Sequence, residues 1–237
     1  MKPTLLFLLA LLFVSTILAA PTGPPPVQPD FEYVIISAGV TLMIWEKWKD
    51  PPHDRWWQNF IQAGQIRIRE LKAQGVPAHQ ITWMIFSPSY ETRGREDKQN
   101  YLGEITARAH SEGVKLIYFR DAQAIINHLN AGKPRDRVKI ADLEYFGHSN
   151  KACLMLDYSN TIDSASKAWL HEDTFPQQLN PGIFAKGAFV KSWGCFTGES
   201  MSQKFRRVTR VPMWGVTGRT QYLTHELPVP SNGKWKY

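Results

Sequence analysis

Two residues that can take part in nucleophilic chemistry each follow a predicted strand. His148 comes shortly after the apolar run Ile140–Phe146, and Cys195 comes shortly after the run Ala188–Trp193. A thiol attacks a carbonyl carbon when an imidazole within hydrogen-bonding reach takes its proton and nearby N–H groups hold the developing oxyanion. Because neighbouring strands lie about 5 Å apart, adjacent strands would bring these two side chains together.

The residues around this pair favour the same chemistry. Gly147 precedes the histidine and Gly194 precedes the cysteine, and a residue without Cβ lets other backbone or a substrate approach closely. A helix expected to open near Thr197–Ser200 would direct its unpaired N–H groups toward a thiolate at Cys195. The sequence therefore predicts a candidate cysteine nucleophile with a histidine base.

The secondary structure predicted around this pair alternates between strand and helix. Strands are predicted at Tyr33–Ala38, Ile81–Phe86, Val114–Phe119, Ile140–Phe146, Cys153–Leu156, Ala188–Trp193 and Met213–Val216. Helices are predicted at Trp56–Ala73, Leu102–His110, Asp121–Leu129 with Asp121 as N-cap, and from a capping box at Ser200–Gln203 through Val208. The segment Ser89–Asn100 is expected to be an exposed loop, and Leu179–Phe184 to be partly helical.

This alternation indicates an α/β fold. We expect a three-layer α/β/α sandwich whose central sheet has about six mostly parallel strands. In open sheets of this kind, ligands bind beyond the carboxyl ends of the strands. His148 and Cys195 both follow such ends.

An apolar strand that leads to His, and a second that leads to Gly-Cys, resembles the caspase-like cysteine peptidases, which include caspases, legumains, gingipains and clostripain. Cys195 follows His148 by 47 positions, close to the roughly 50 found in caspases. The first strand, YVIISAG, and the passage RELKAQGVPAHQITWMIF are also similar to that family. Residues 188–222 look like bacterial caspase-like surface domains, so the resemblance extends over most of residues 31–222.

The resemblance implies a role for each residue of the pair. His148 would be the general base, Cys195 the nucleophile, and the backbone N–H groups of Cys195 and Ser149 the oxyanion donors, supported by Gly147 and Gly194. Substrates would be proteins or peptides. The family usually has Gly directly after the histidine, where this chain has Ser149, and the caspase context of the cysteine is replaced, so specificity for Asp does not follow.

A serine hydrolase is an alternative enzyme class. Gly147-His148-Ser149-Asn150-Lys151 resembles a lipase nucleophile elbow, with Ser149 as the alternative nucleophile. Asp173 would then orient the base His225. Lys151 replaces the second glycine of that motif, and the residues after Asn150 indicate a strand, where an elbow needs a helix.

Two further interpretations stay open. Cys153 and Cys195 can form a disulfide in an oxidising compartment, which would remove the nucleophile. Alternatively, the chain is a non-catalytic caspase-like surface or binding module. Nine tryptophans motivate this second interpretation, of which Trp45, Trp48, Trp56 and Trp57 cluster around a polar segment.

The amino terminus indicates export. Residues 1–20 have the pattern of a signal peptide, with Lys2 before an apolar stretch and small residues at its end. We expect residues 21–30 to form a Pro-rich spacer and residues 31–237 to form one domain, which by the resemblance above would be caspase-like. We therefore expect a secreted or periplasmic protein that has no membrane segment after signal cleavage.

Composition restricts the partners. The chain has 237 residues, a 43% apolar fraction and a formal net charge of +7, which is typical of one globular domain. Its basic residues are dispersed, so we expect a solvated basic surface and no nucleic-acid partner. Phosphate loops, dinucleotide fingerprints and metal-ligand spacings do not occur in the sequence, so we expect no cofactor and no metal.

Overall fold

The computed structural model of the protein describes residues 30–40, 56–157 and 168–237. The predicted signal peptide, residues 21–29 of the spacer, Trp45 and Trp48 lie outside the described residues. Among the helices of the described ranges, none combines the length and the apolar character that a bilayer-crossing segment needs.

The central feature of the fold is a sheet of seven strands. The strands in chain order are β1 (Phe31–Ser37), β2 (Ile81–Phe86), β3 (Lys115–Phe119), β4 (Lys139–Phe146), β5 (His148–Ser149), β6 (Cys153–Met155), β7 (Trp169–His171), β8 (Phe184–Ser192), β9 (Met213–Val216), β10 (Thr220–Gln221), β11 (Val229–Pro230) and β12 (Trp235–Lys236). The seven-stranded sheet has the order β12-β9-β8-β4-β1-β2-β3, and only β12 runs antiparallel to its neighbour. The predicted α/β class with a mostly parallel sheet is therefore confirmed.

Helices cover both faces of this sheet. They are α1 (Asn59–Ala73), α2 (Ser87–Asp97), α3 (Tyr101–Glu112), α4 (Ala122–Ala131) and α5 (Met201–Thr209). One core cluster joins α1, α2 and α3 to the sheet through side chains such as Phe60, Tyr90 and Ile105, and a second joins α4 and α5 through Leu129 and Phe205. This arrangement is compatible with the predicted three-layer sandwich.

Two small sheets complete the described part. Strands β5, β6 and β7 form an antiparallel sheet, and β10 pairs with β11 as a hairpin. Leu154 of β6 and Leu170 of β7 belong to the same core cluster as α4 and α5. The chain therefore leaves β4 at Phe146, turns into a hairpin, and later re-enters the central sheet at β8.

The polar segment predicted as an exposed loop is helical, so that prediction was wrong. Residues Ser87–Asp97 form α2, with Pro88 in its first turn, where a missing N–H costs nothing. Tyr90 anchors the helix because its ring is fully buried and its hydroxyl donates to the Ala38 carbonyl (2.7 Å). An ion pair from Arg93 to Asp97, one turn apart, further stabilises the helix.

Two smaller predictions also need correction. The region Leu179–Phe184 is not helical, because Phe184 already begins β8 and the short 3₁₀ turn lies earlier, at Pro176–Gln178. Helix α5 begins where the sequence indicated, but Ser200 makes no side-chain capping bond and the Gln203 amide donates to the Glu199 carbonyl.

Candidate active site

The candidate site lies where β4 and β8 end. These two strands are adjacent and parallel, and Tyr145 pairs with Ser192 in their register. Parallel strands present their carboxyl ends at the same edge, so Gly147-His148 and Gly194-Cys195 leave the sheet side by side. The chain runs outward from β1 through β2 and β3 and returns to β4 on the other side of β1, so this edge adjoins the switch point of the sheet.

Direct contacts join the two strand ends. The Ser149 hydroxyl donates to the carbonyl of Cys195 at 2.7 Å. A Cβ placed on Gly194 would lie 2.1 Å from the Ser149 Oγ and 3.0 Å from the Gly147 carbonyl oxygen, so only glycine fits there without displacing its neighbours. The structure thus brings together Gly147, Ser149, Gly194 and Cys195, with His148 between the first two.

His148 is half-buried, and described residues contact it at three points. Its ring meets the Phe60 ring edge-on, with centroids 5.1 Å apart. Its carbonyl accepts a hydrogen bond from the Tyr145 hydroxyl (2.8 Å), and its backbone pairs with Met155 in the β5–β6 hairpin. These contacts fix the position of the imidazole relative to the end of β4.

The thiol of Cys195 is half-buried and contacts Thr220. The Thr220 N–H donates to the sulfur at 3.4 Å, and the Thr220 hydroxyl lies 3.5 Å from it. Phe196 follows with a φ of 63°, a left-handed conformation that costs energy for a residue with a side chain. Its N–H donates to the Gly218 carbonyl (2.6 Å), which holds this turn and turns the chain sharply after the cysteine.

The helix behind the cysteine has the expected cap position, Ser200, but its first two N–H groups are engaged away from the thiol, which corrects the expectation above. Helix α5 starts at Met201, and residues 195–200 form turns. The Met201 N–H donates to the Lys151 carbonyl and the Ser202 N–H to the Thr197 carbonyl. Within the described residues, by contrast, the N–H of Cys195 has no acceptor, so it is available to a substrate oxygen.

Sequence reasoning missed three residues of this site: Phe60, Thr220 and Tyr222. Tyr222 accepts a hydrogen bond from the Gly147 N–H (3.0 Å) and donates to the Trp193 carbonyl (3.4 Å), so it touches both strand ends. The period-two spacing of Thr220 and Tyr222 was the only available sign, because it directs both side chains to one side of an extended segment.

A buried charged cluster lies beneath the end of β8. Glu144 accepts from the Trp193 indole N–H (2.6 Å) and pairs with Arg67, so this carboxylate is engaged away from His148. Burial raises the pKa of Asp142 to about 9, and the neighbouring Glu144 adds to that rise. Burial also lowers the pKa of Lys191 to about 8, and its ammonium lies over the Trp193 ring at 3.3 Å.

Both cysteines are free thiols in the structure, and the second differs from Cys195. Cys153 is only 3% exposed and lies within β6. Burial raises the pKa of its thiol, and the carboxylates of Glu172 and Asp173 raise it further. A thiol in these surroundings stays protonated and is a poor nucleophile.

Two residues of the serine alternative, Ser149 and Asp173, are engaged elsewhere, and His225 is exposed. Ser149 lies in the β5–β6 hairpin, which differs from the strand–turn–helix of a nucleophile elbow. Asp173 pairs with Lys204 and with His171.

Of the clustered tryptophans, Trp57 is only 8% exposed and stacks on Tyr101, so its ring is a core element. Among the described residues, no three His, Cys, Asp or Glu side chains form a group that could hold a metal ion.

Comparisons of the chain with protein-family models, with curated proteins and with solved structures give no match. The site is therefore interpreted from its own geometry.

Proposed function

We propose that the protein is a cysteine peptidase with a caspase-like fold, exported to the periplasm or the extracellular space, which acts on proteins or peptides. The observation that carries this proposal is the adjacency of β4 and β8, because it sets the residues after both strands side by side at the carboxyl edge of the sheet. The half-exposed thiol of Cys195 supports it, as does the N–H of the same residue, which has no acceptor in the part of the chain that the structure describes.

The reaction would proceed through a thioester. The His148 imidazole takes the thiol proton, and the Cys195 sulfur attacks the carbonyl carbon of the peptide bond. The carbonyl oxygen accepts a hydrogen bond from the backbone N–H of Cys195. The carbon–nitrogen bond then breaks, and the imidazolium returns the proton to the leaving amine. Water, deprotonated by the same imidazole, releases the carboxylic acid and restores the thiol.

The two alternatives predict different results. A serine hydrolase would need a free Ser149 hydroxyl, whereas this hydroxyl donates to the Cys195 carbonyl. A non-catalytic module would show neither turnover nor a cysteine of unusual reactivity.

Hydrolysis of a diverse peptide mixture, followed by mass spectrometry, tests the proposal. The wild type is expected to cut at a restricted set of sites. His148→Ala should lower the rate by about 10²–10⁴-fold, as expected for the loss of a general base. His110→Ala, which removes an exposed histidine of α3, is the matched control and should keep the wild-type rate. A wild type without any cleavage, or equal rates in both variants, would refute the proposal.

A further inference from the structure

The hydrogen-bond ladder between β4 and β8 stops just before the candidate nucleophile. Its last bond runs from the Trp193 N–H to the Tyr145 carbonyl (2.8 Å). In a regular parallel ladder, the next bonds would run from the Gly147 N–H to the Trp193 carbonyl and from the Cys195 N–H to the Gly147 carbonyl. Neither of these two bonds is present between the described residues.

Side chains from one short segment take the place of the missing bond. The Gly147 N–H donates to the Tyr222 hydroxyl at 3.0 Å. The Trp193 carbonyl accepts from the Thr220 hydroxyl at 2.8 Å and from the Tyr222 hydroxyl at 3.4 Å. Both backbone groups are thus satisfied although the strands have separated, which removes the usual cost of opening a ladder.

We infer that Tyr222 is a positioning residue whose hydroxyl separates the ends of β4 and β8 and thereby keeps the Cys195 N–H out of the ladder. The inference rests on the proposed function in one respect: the released N–H is the group that would receive the substrate oxygen. Without the hydroxyl, the Gly147 N–H and the Trp193 carbonyl would pair directly, and the following bond would occupy the Cys195 N–H.

The Tyr222 ring is fixed well enough to act in this way. It packs edge-on against Phe60, with centroids 4.9 Å apart, and the same Phe60 ring contacts His148. Directly before it, Thr220 and Gln221 form β10 and pair with β11. The hydroxyl is therefore held between the strand ends by packing on one side and by a hairpin on the other.

Amide hydrogen exchange and kinetics of Tyr222→Phe test this inference. The variant keeps the ring and loses only the hydroxyl, so the fold should persist. Exchange of the Cys195 amide, followed by NMR, should slow by on the order of tenfold as the amide enters the ladder. For peptide hydrolysis, kcat should fall by about 10²-fold, the scale of losing one oxyanion donor, with KM little changed.

Tyr118→Phe is the matched control, because Tyr118 also donates to a backbone carbonyl, that of Leu102, but lies on β3. It should change neither the Cys195 exchange rate nor kcat. Unchanged or faster exchange of the Cys195 amide in Tyr222→Phe would overturn the inference even if the enzyme is active. An inactive wild type would refute the proposed function, and the exchange rates would still decide whether the hydroxyl separates the strands.

Discussion

The two cysteines lie in regions that have opposite effects on the reactivity of a thiol. Cys195 follows the end of a central strand and is half-exposed, and its sulfur accepts a hydrogen bond from the Thr220 N–H. Cys153 lies inside the β5–β6–β7 sheet at 3% exposure, close to the carboxylates of Glu172 and Asp173. The difference shows that exposure and neighbouring dipoles, which the residue type does not reveal, separate a candidate nucleophile from a structural thiol.

Replacing each cysteine in turn tests this difference, and it should give the largest change in the rate of peptide hydrolysis. Cys195→Ala should reduce peptide hydrolysis by on the order of 10⁴-fold or more, because no other group replaces the nucleophile. Cys153→Ala should keep the rate within about twofold and lower the unfolding free energy by roughly 1 kcal/mol, since it trims a small buried side chain. Equal rates in the two variants would mean that the comparison is wrong.

A second change perturbs the end of β8 without touching the thiol. Gly194→Ala places a Cβ 2.1 Å from the Ser149 Oγ, so the strand end must move. We expect a loss of about 1–3 kcal/mol in the unfolding free energy, as for other overpacked sites, together with most of the activity. Chemical denaturation and peptide hydrolysis measure the two effects.

The double variant Gly194→Ala/Ser149→Gly is the control for that clash. Removing the Ser149 side chain removes the closest contact, so at least part of the stability should return. If the double variant loses as much unfolding free energy as the two single variants lose together, or more, the clash is not the cause of the destabilisation.

The buried charged cluster beneath the end of β8 predicts that the unfolding free energy depends on pH. Burial lowers the pKa of Lys191 to about 8 from 10.5, so between these values the unfolded chain binds more protons than the folded one. The unfolding free energy contributed by this group therefore rises with pH across that window, by about 1–2 kcal/mol after allowance for partial exposure. Denaturant titrations of the wild type and of Lys191→Met at pH 8 and pH 10 measure this rise as the difference in unfolding free energy between the two proteins, in which groups common to both, such as Asp142, cancel.

The smallest effect concerns the carboxylates beside Cys153. Burial is the main cause of the raised pKa of this thiol, and Glu172 comes second. Glu172→Gln should therefore increase the alkylation rate of Cys153 by less than about tenfold. Glu199→Gln, an exposed residue, should have no effect. An increase large enough to match Cys195 would show that charge, and not burial, keeps Cys153 unreactive.

Much of the scaffold could be predicted from the sequence because its signals are local. The apolar run of β1 and the Asp121 cap of α4 depend on neighbours within a few positions, and both were predicted correctly. Helix α2 was missed because its polar composition hides the buried anchor Tyr90, whose partner Ala38 lies 52 positions away. Local patterns carry no information about such a contact.

The same limit applies to the candidate site. His148 and Cys195 were identified because strand ends and glycines mark them. Thr220 and Tyr222 reach the site through contacts to residues 25 and 75 positions away, which only the folded chain brings together. The opening of the β4–β8 ladder has no local signature either, since it is made by side chains from a third segment.

The pairing of imidazole and thiol can be measured by alkylation with iodoacetamide at neutral pH, followed by peptide mapping. We expect Cys195 to react at least about 10²-fold faster than Cys153, and most of this advantage to disappear in His148→Ala but to persist in His110→Ala. Equal reactivity of the two thiols, or a Cys195 rate that does not depend on His148, would contradict the pairing of imidazole and thiol on which the proposed function depends.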